Sequence, residues 1–98
     1  MEKYSYVLAT EQAGSGIRSN CISPALVKTS ILEETFTGDR SKYRKVVEDR
    51  HLLGFGETED VANMVVFLLS KASKWLTAQN IILDGGYLPG LVSKAVND

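Results

Sequence analysis

A single cysteine, Cys21, stands in the chain. That excludes an intrachain disulfide framework and fits a reducing compartment. A single histidine, His51, excludes a multi-histidine metal site, and no metal site is expected. Excess positive charge is missing too: 11 Lys and Arg against 12 Asp and Glu leave a net charge of −1. A generic electrostatic grip on nucleic acid, which needs clustered basic residues, is thereby excluded. No apolar run approaches the roughly 18 residues of a membrane helix. The N-terminus mixes acid, base and tyrosine where a secretion signal needs an apolar stretch. The expectation is a cytoplasmic protein with no nucleic-acid and no membrane partner. Composition is otherwise ordinary for a globular chain, at 44% hydrophobic and 23% charged residues. None of this speaks to chemistry, so function has to come from the order of motifs.

A chain of 98 residues holds one domain at most. Met1 to Ala13 reads as a helix, with Tyr4, Val7 and Leu8 on one face. Gly14-Ser15-Gly16 stops it. No capping residue precedes Tyr4, so the helix is expected to begin upstream of residue 1. Ile17 to Ser23 reads as a short strand that Pro24 ends. Ala25 to Ser30 follows as a loop, Ile31 to Phe36 as a short helix, and Thr37-Gly38-Asp39 as a turn. Arg40 to Leu53 reads as a charged helix with few apolar anchors, where mobility is expected. Gly54-Phe55-Gly56 breaks it. Thr58 is the expected cap of the next helix, with Glu59 and Asp60 suiting its dipole. Val61, Met64, Val65, Leu68 and Leu69 form one apolar face. Ser70 to Gln79 connects that helix to a strand at Asn80 to Leu83. A turn at Asp84-Gly85-Gly86 and a tail over residues 87–98 complete the chain. Alternating helices and strands predict an α/β fold with a parallel sheet. Two strands are too few for a self-contained sheet of that kind, so the pattern is that of the end of a larger fold.

Three blocks carry a resemblance. Gly16-Ile17-Arg18-Ser19-Asn20 followed by Pro24-Ala25-Leu26-Val27-Lys28-Thr29 is the first. Leu53-Gly54-Phe55-Gly56-Glu57-Thr58-Glu59-Asp60-Val61-Ala62 is the second. Phe67-Leu68-Leu69-Ser70, then Thr77-Ala78-Gln79-Asn80-Ile81-Ile82-Leu83-Asp84-Gly85-Gly86, is the third. In this order and spacing they resemble the C-terminal portion of short-chain dehydrogenases/reductases. Ala25 and Ala78 stand where the family usually has glycine, Ser19 where it has valine, and Thr58 where it has proline. The resemblance implies the C-terminal part of a doubly wound, Rossmann-like parallel sheet, incomplete in this chain. Residues 1–98 would form a single partial domain, with a substrate-loop region at residues 30–53.

The resemblance also implies a function. The parent would be an NAD(P)-dependent oxidoreductase moving a hydride between NAD or NADP and a small-molecule carbonyl or alcohol. Pro24, Ala25, Val27 and Thr29 would form the cofactor-facing loop, Val27 through its backbone and Thr29 through its hydroxyl. Phe36, Tyr43 and Leu52 would face substrate. The family's Tyr-x-x-x-Lys pair is missing: four residues after Tyr4, Tyr6, Tyr43 and Tyr87 come Leu8, Thr10, Val47 and Leu91. That pair is expected upstream of residue 1, so no catalytic residue is assigned and the chain alone is expected to be inactive. Gly14-x-Gly16 and Gly54-x-Gly56 lack the third glycine of a phosphate-binding turn. The last large helix and last strand commonly form a subunit interface in the family, which implies a homo-oligomer. The other reading is a non-catalytic, truncated relative that acts as an oligomerisation or interaction module. Blander expectations hold for the rest. Thr29 reads equally as a capping threonine, Cys21 as a small buried hydrophobe, and His51 as a solvated side chain. The basic residues between Arg40 and Arg50 read as a solvated helix face.

Overall fold

The computed structural model describes residues 2–87. Among the described residues four helices and two strands follow one another: α1 (Glu2–Gln12), β1 (Cys21–Pro24), α2 (Ser30–Thr35), α3 (Ser41–Asp49), α4 (Thr58–Leu69) and β2 (Asn80–Leu83). Short 3₁₀ turns sit at Ala13–Ser15, Gly38–Arg40 and Lys71–Ser73. β1 and β2 pair in parallel, with Cys21 N–H donating to the Gln79 carbonyl at 2.8 Å and Ala25 N–H to the Leu83 carbonyl at 3.1 Å. The described residues fall into two compact units, 2–23 with 62–82, and 24–61 with 83–87.

In the first unit, α1 continues through its 3₁₀ turn to Gly16, whose φ of +74° closes the helix in the left-handed region. The expected face is corrected. Tyr4 is 66% exposed and Val7 is 50% exposed, whereas Ser5 and Ala9 are buried. Small residues at four-residue spacing let the α1 backbone approach its neighbours, and the Ser5 hydroxyl meets that of Ser19 at 3.0 Å. The strand expected at Ile17–Ser23 begins only at Cys21. Ser19 and Asn20 instead pair irregularly with the segment before β2. Ser19 N–H donates to the Thr77 hydroxyl, Ala78 N–H to the Ser19 carbonyl, and Gln79 N–H to the Asn20 side chain. Ala78 adopts φ +61°, the only non-glycine residue among those described with a positive φ.

Arg18 ties this unit together. Its guanidinium donates to the carbonyls of Leu68 (2.8 Å), Ser73 (2.9 Å) and Leu76 (3.1 Å), and to the Ser73 hydroxyl (3.1 Å). A cation at the C-terminal end of α4 also complements the helix dipole. The apolar face of α4 forms as expected, yet no α4 residue is buried. Leu69 is 81% exposed, Val66 66%, and Phe67 and Val65 about two-fifths. Trp75 is 97% exposed.

In the second unit, α3 is shorter than the helix expected over Arg40–Leu53; it ends at Asp49, where turns take over. Thr58 is not the cap of α4 but its first helical residue. Asp60 reaches back, its carboxylate accepting from Glu57 N–H at 2.7 Å, the returning half of a capping box. Across the described residues only Ala9, Leu32 and Phe55 are buried apolar residues, and no side chain is fully enclosed. The segment 88–98, most of the expected tail, lies outside the described residues.

Candidate functional site

The expected cofactor loop lies entirely in the second unit. Pro24 ends β1 and is exposed; Ala25 is half-buried, with its N–H held by Leu83. Ala25 is not among the positive-φ residues, so its Cβ carries no backbone strain. Val27 forms an isolated parallel bridge with Gly56. The flanking residues make its bonds: Gly56 N–H donates to the Leu26 carbonyl at 3.0 Å, and Lys28 N–H donates to the Gly56 carbonyl at 2.8 Å. In this geometry the N–H and C=O of Val27 point away from Gly56. Among the described residues neither has a hydrogen-bond partner.

Thr29 is the N-cap of α2. Its hydroxyl accepts from Leu32 N–H at 3.3 Å, so the capping role is real, and its own hydrogen stays available to a ligand. Next to it Lys28 pairs with Glu57 at 3.0 Å, an exposed contact.

The three expected substrate residues are placed differently from one another. Phe36 is half-buried and stacks on Phe55 with ring centroids 6.5 Å apart. Tyr43 is 52% exposed beneath the Lys42 ammonium. Leu52 is exposed and lies against Gly86, where an added Cβ would meet the leucine side chain at 2.9 Å. No ring contact joins Tyr43 to Phe36 among the described residues.

His51 is a correction. It is 4% exposed, not solvated, because α3 has ended two residues earlier and the turn directs the ring inward. The ring meets Phe55 edge-on at 5.3 Å and lies 4.7 Å from the ring of Tyr87. Its Nδ1 sits 3.0 Å from the Val47 carbonyl, which can only accept, so Nδ1 donates. Its Nε2 is buried without a partner among the described residues. An unsatisfied buried polar atom costs about 1–3 kcal/mol. The four-residue spacing of Val47, His51 and Phe55 was the available sign of an inward face, although it crosses the helix end and the next residue back, Tyr43, is exposed. Arg44 lies over the Phe55 ring and pairs with Glu33. The hydrogen bond from Arg44 lowers the Glu33 carboxyl below its ordinary pKa, and the same bond raises the Arg44 pKa.

No cluster of metal-ligating side chains and no helix long and apolar enough to cross a membrane occurs among the described residues.

With the geometry in hand, the likeness to other proteins is informative. A family model described as enoyl-(acyl carrier protein) reductase matches residues 1–88. A tropinone reductase homolog of Arabidopsis thaliana is 41% identical over 80 residues, covering 81% of this chain and 29% of that protein. A short-chain type dehydrogenase/reductase from Mycobacterium ulcerans superposes with a TM-score of 0.74 at 35% identity, over 90% of this chain and 32% of the other. A 4-hydroxyisoleucine dehydrogenase, solved as a mutant complexed with NADH and succinate, gives a TM-score of 0.79 at 25% identity, over 90% and 36%. The chain therefore spans about a third of the length of the proteins it matches.

Proposed function

The chain belongs to the short-chain dehydrogenase/reductase family, and from that premise we propose that it carries the nicotinamide-facing loop of an NAD(P)-dependent oxidoreductase. The reaction would interconvert a small-molecule carbonyl and its alcohol. One observation carries this reading. Val27 offers an unengaged N–H and C=O two residues before the Thr29 hydroxyl. A carboxamide needs an N–H donor for its oxygen and an acceptor for its NH₂, and this loop has both. Bound there, a nicotinamide dinucleotide supplies or takes the hydride. Val27 would orient the carboxamide through its backbone and Thr29 through its hydroxyl, while Pro24 and Ala25 shape the end of β1. Phe36, Tyr43 and Leu52 would face substrate.

No tyrosine of this sequence precedes a lysine by four residues, so we assign the acid–base step to no residue here. We expect the 98-residue chain alone to be inactive, and Val27 and Thr29 to reach only one end of the cofactor. The test is a titration with nicotinamide mononucleotide, read by amide resonances. Shifts concentrated at Val27 and Thr29, with saturation only in the millimolar range or above, are the expected result. Unmoved loop amides would remove the reading, and micromolar binding of NADH by calorimetry would remove the claim that one end of the site is missing.

A second reading has its own observation. The exposed apolar side chains of α4 favour an oligomerisation module, with a second copy covering Val65, Val66 and Leu69. The two readings are compatible in one homo-oligomeric protein; sedimentation at several concentrations tests the association, and a single monomeric species at all of them would remove this second reading.

A further inference from the structure

We infer that His51 reads a hydrogen-bond donor on the substrate, and that the substrate is a small, largely apolar carbonyl compound or alcohol bearing a hydroxyl or N–H away from its reacting carbon. This deepens the oxidoreductase reading above and rests on it for the word substrate. The Val47 carbonyl fixes the donor on Nδ1, 3.0 Å away. With one ring proton, that proton is on Nδ1 and Nε2 presents a lone pair. The atom is buried and no described group donates to it. A buried acceptor held by two aromatic neighbours is complete only when something brings an O–H or N–H. An acceptor-only ketone cannot satisfy it, so the site discriminates by hydrogen-bond character rather than size.

The surroundings fit an apolar body with one polar edge. Phe55 packs edge-on to the imidazole, and Phe36 stacks beyond it with part of its surface open. Tyr87 covers the ring at 4.7 Å, is itself only half-buried, and has no side-chain hydrogen bond among the described residues. The Tyr87 side chain can therefore move off the imidazole without breaking a side-chain hydrogen bond. Leu52 is 58% exposed and Leu53 85%, so the turn around His51 has few packing contacts to resist that movement.

The sole histidine makes the test direct. Its two ring nitrogens give unambiguous ¹⁵N signals in the 98-residue chain, without cofactor and without turnover. Cyclohexanol and cyclohexanone serve as probes of matched size, the first a donor and the second an acceptor only. Cyclohexanol is expected to move the Nε2 resonance saturably toward its hydrogen-bonded position, while cyclohexanone leaves it in place. In His51→Phe, which keeps an aromatic ring, cyclohexanol affinity read at the Phe55 amide falls about tenfold and cyclohexanone affinity is unchanged. Equal Nε2 shifts from both probes, no saturable shift from cyclohexanol, or a free-state Nε2 already hydrogen-bonded would each overturn the inference. Because nicotinamide plays no part in this readout, loss of the cofactor reading leaves its result interpretable.

Discussion

Replacing Arg18 should loosen the first unit more than any other single change in it. The guanidinium holds three carbonyls at 2.8–3.1 Å and the Ser73 hydroxyl, spanning the end of α4 and the connector that leads to β2. A hydrogen bond to a charged group contributes roughly 1.5–3 kcal/mol net when isolated. These bonds share one donor group that is only half-buried, so they do not add. A figure of about 2 kcal/mol for Arg18→Met follows from loss of the charged donor alone, because no carbonyl is orphaned: Leu68 keeps the Ser73 hydroxyl, Ser73 the Leu76 N–H and Leu76 the Asn20 side-chain amide. Arg18→Lys keeps the charge but satisfies only one or two of these acceptors, and recovers about 1 kcal/mol of that loss. The assay is urea unfolding at fixed protein concentration, with midpoints compared at a common slope. The order expected is wild type, then lysine, then methionine. A methionine variant within about half a kcal/mol of wild type, where neutral surface changes lie, would refute the clamp. Equal losses for lysine and methionine would show that the fork geometry matters and the charge does not.

Ala78→Gly should stabilise the chain. The left-handed conformation costs an alanine about 1–2 kcal/mol, and the added freedom of glycine in the unfolded state returns about 0.4–1 kcal/mol of that; a net gain near 1 kcal/mol by the same urea assay is expected, and a loss would mean that Ala78 is not strained. Glu33→Gln should flatten the acid limb of stability. The Glu33 pKa is lowered in the folded state by its bond from Arg44, so the stabilisation is present above the ordinary glutamate range and disappears as pH falls through the lowered folded value; unfolding midpoints across that window check it, and an identical acid limb in wild type and variant counts against it. Leu69→Asp, at a residue 81% exposed, should shift sedimentation toward the monomer while leaving helicity unchanged; an unaltered concentration dependence would place the interface elsewhere.

What could be read from the sequence divides along physical lines. Elements whose signal is local came through. β2 occupies Asn80–Leu83 as its apolar run and flanking turn indicate, and α2 differs from its expected span by one residue at each end. The strong period of Val61–Leu69 did form a helix. Signals that depend on a distant partner did not come through. The inward face of α1 is marked by Ser5 and Ala9, small residues invisible to a search for large apolar ones. β1 starts late because Ser19 and Asn20 are engaged by Thr77, Ala78 and Gln79, a pairing 58 or 59 residues away in the chain. At the candidate site, the capping role of Thr29 was legible from its type and position. The burial of His51 was not, since it depends on where α3 ends and on contacts with the rings of Phe55 and Tyr87.

The bridge between Val27 and Gly56 ties the loop to the segment that leads into α4. Glu57 follows Gly56 directly, donates its N–H to Asp60 and reaches back to Lys28 with its carboxylate. A molecule hydrogen-bonded to the Val27 backbone would sit on the side of the loop opposite the bridge, one residue from Lys28, whose pair with Glu57 is 42% and 59% exposed. The backbone amides of Lys28 and Glu57 would then report occupancy of the loop without a label and with the ion pair intact.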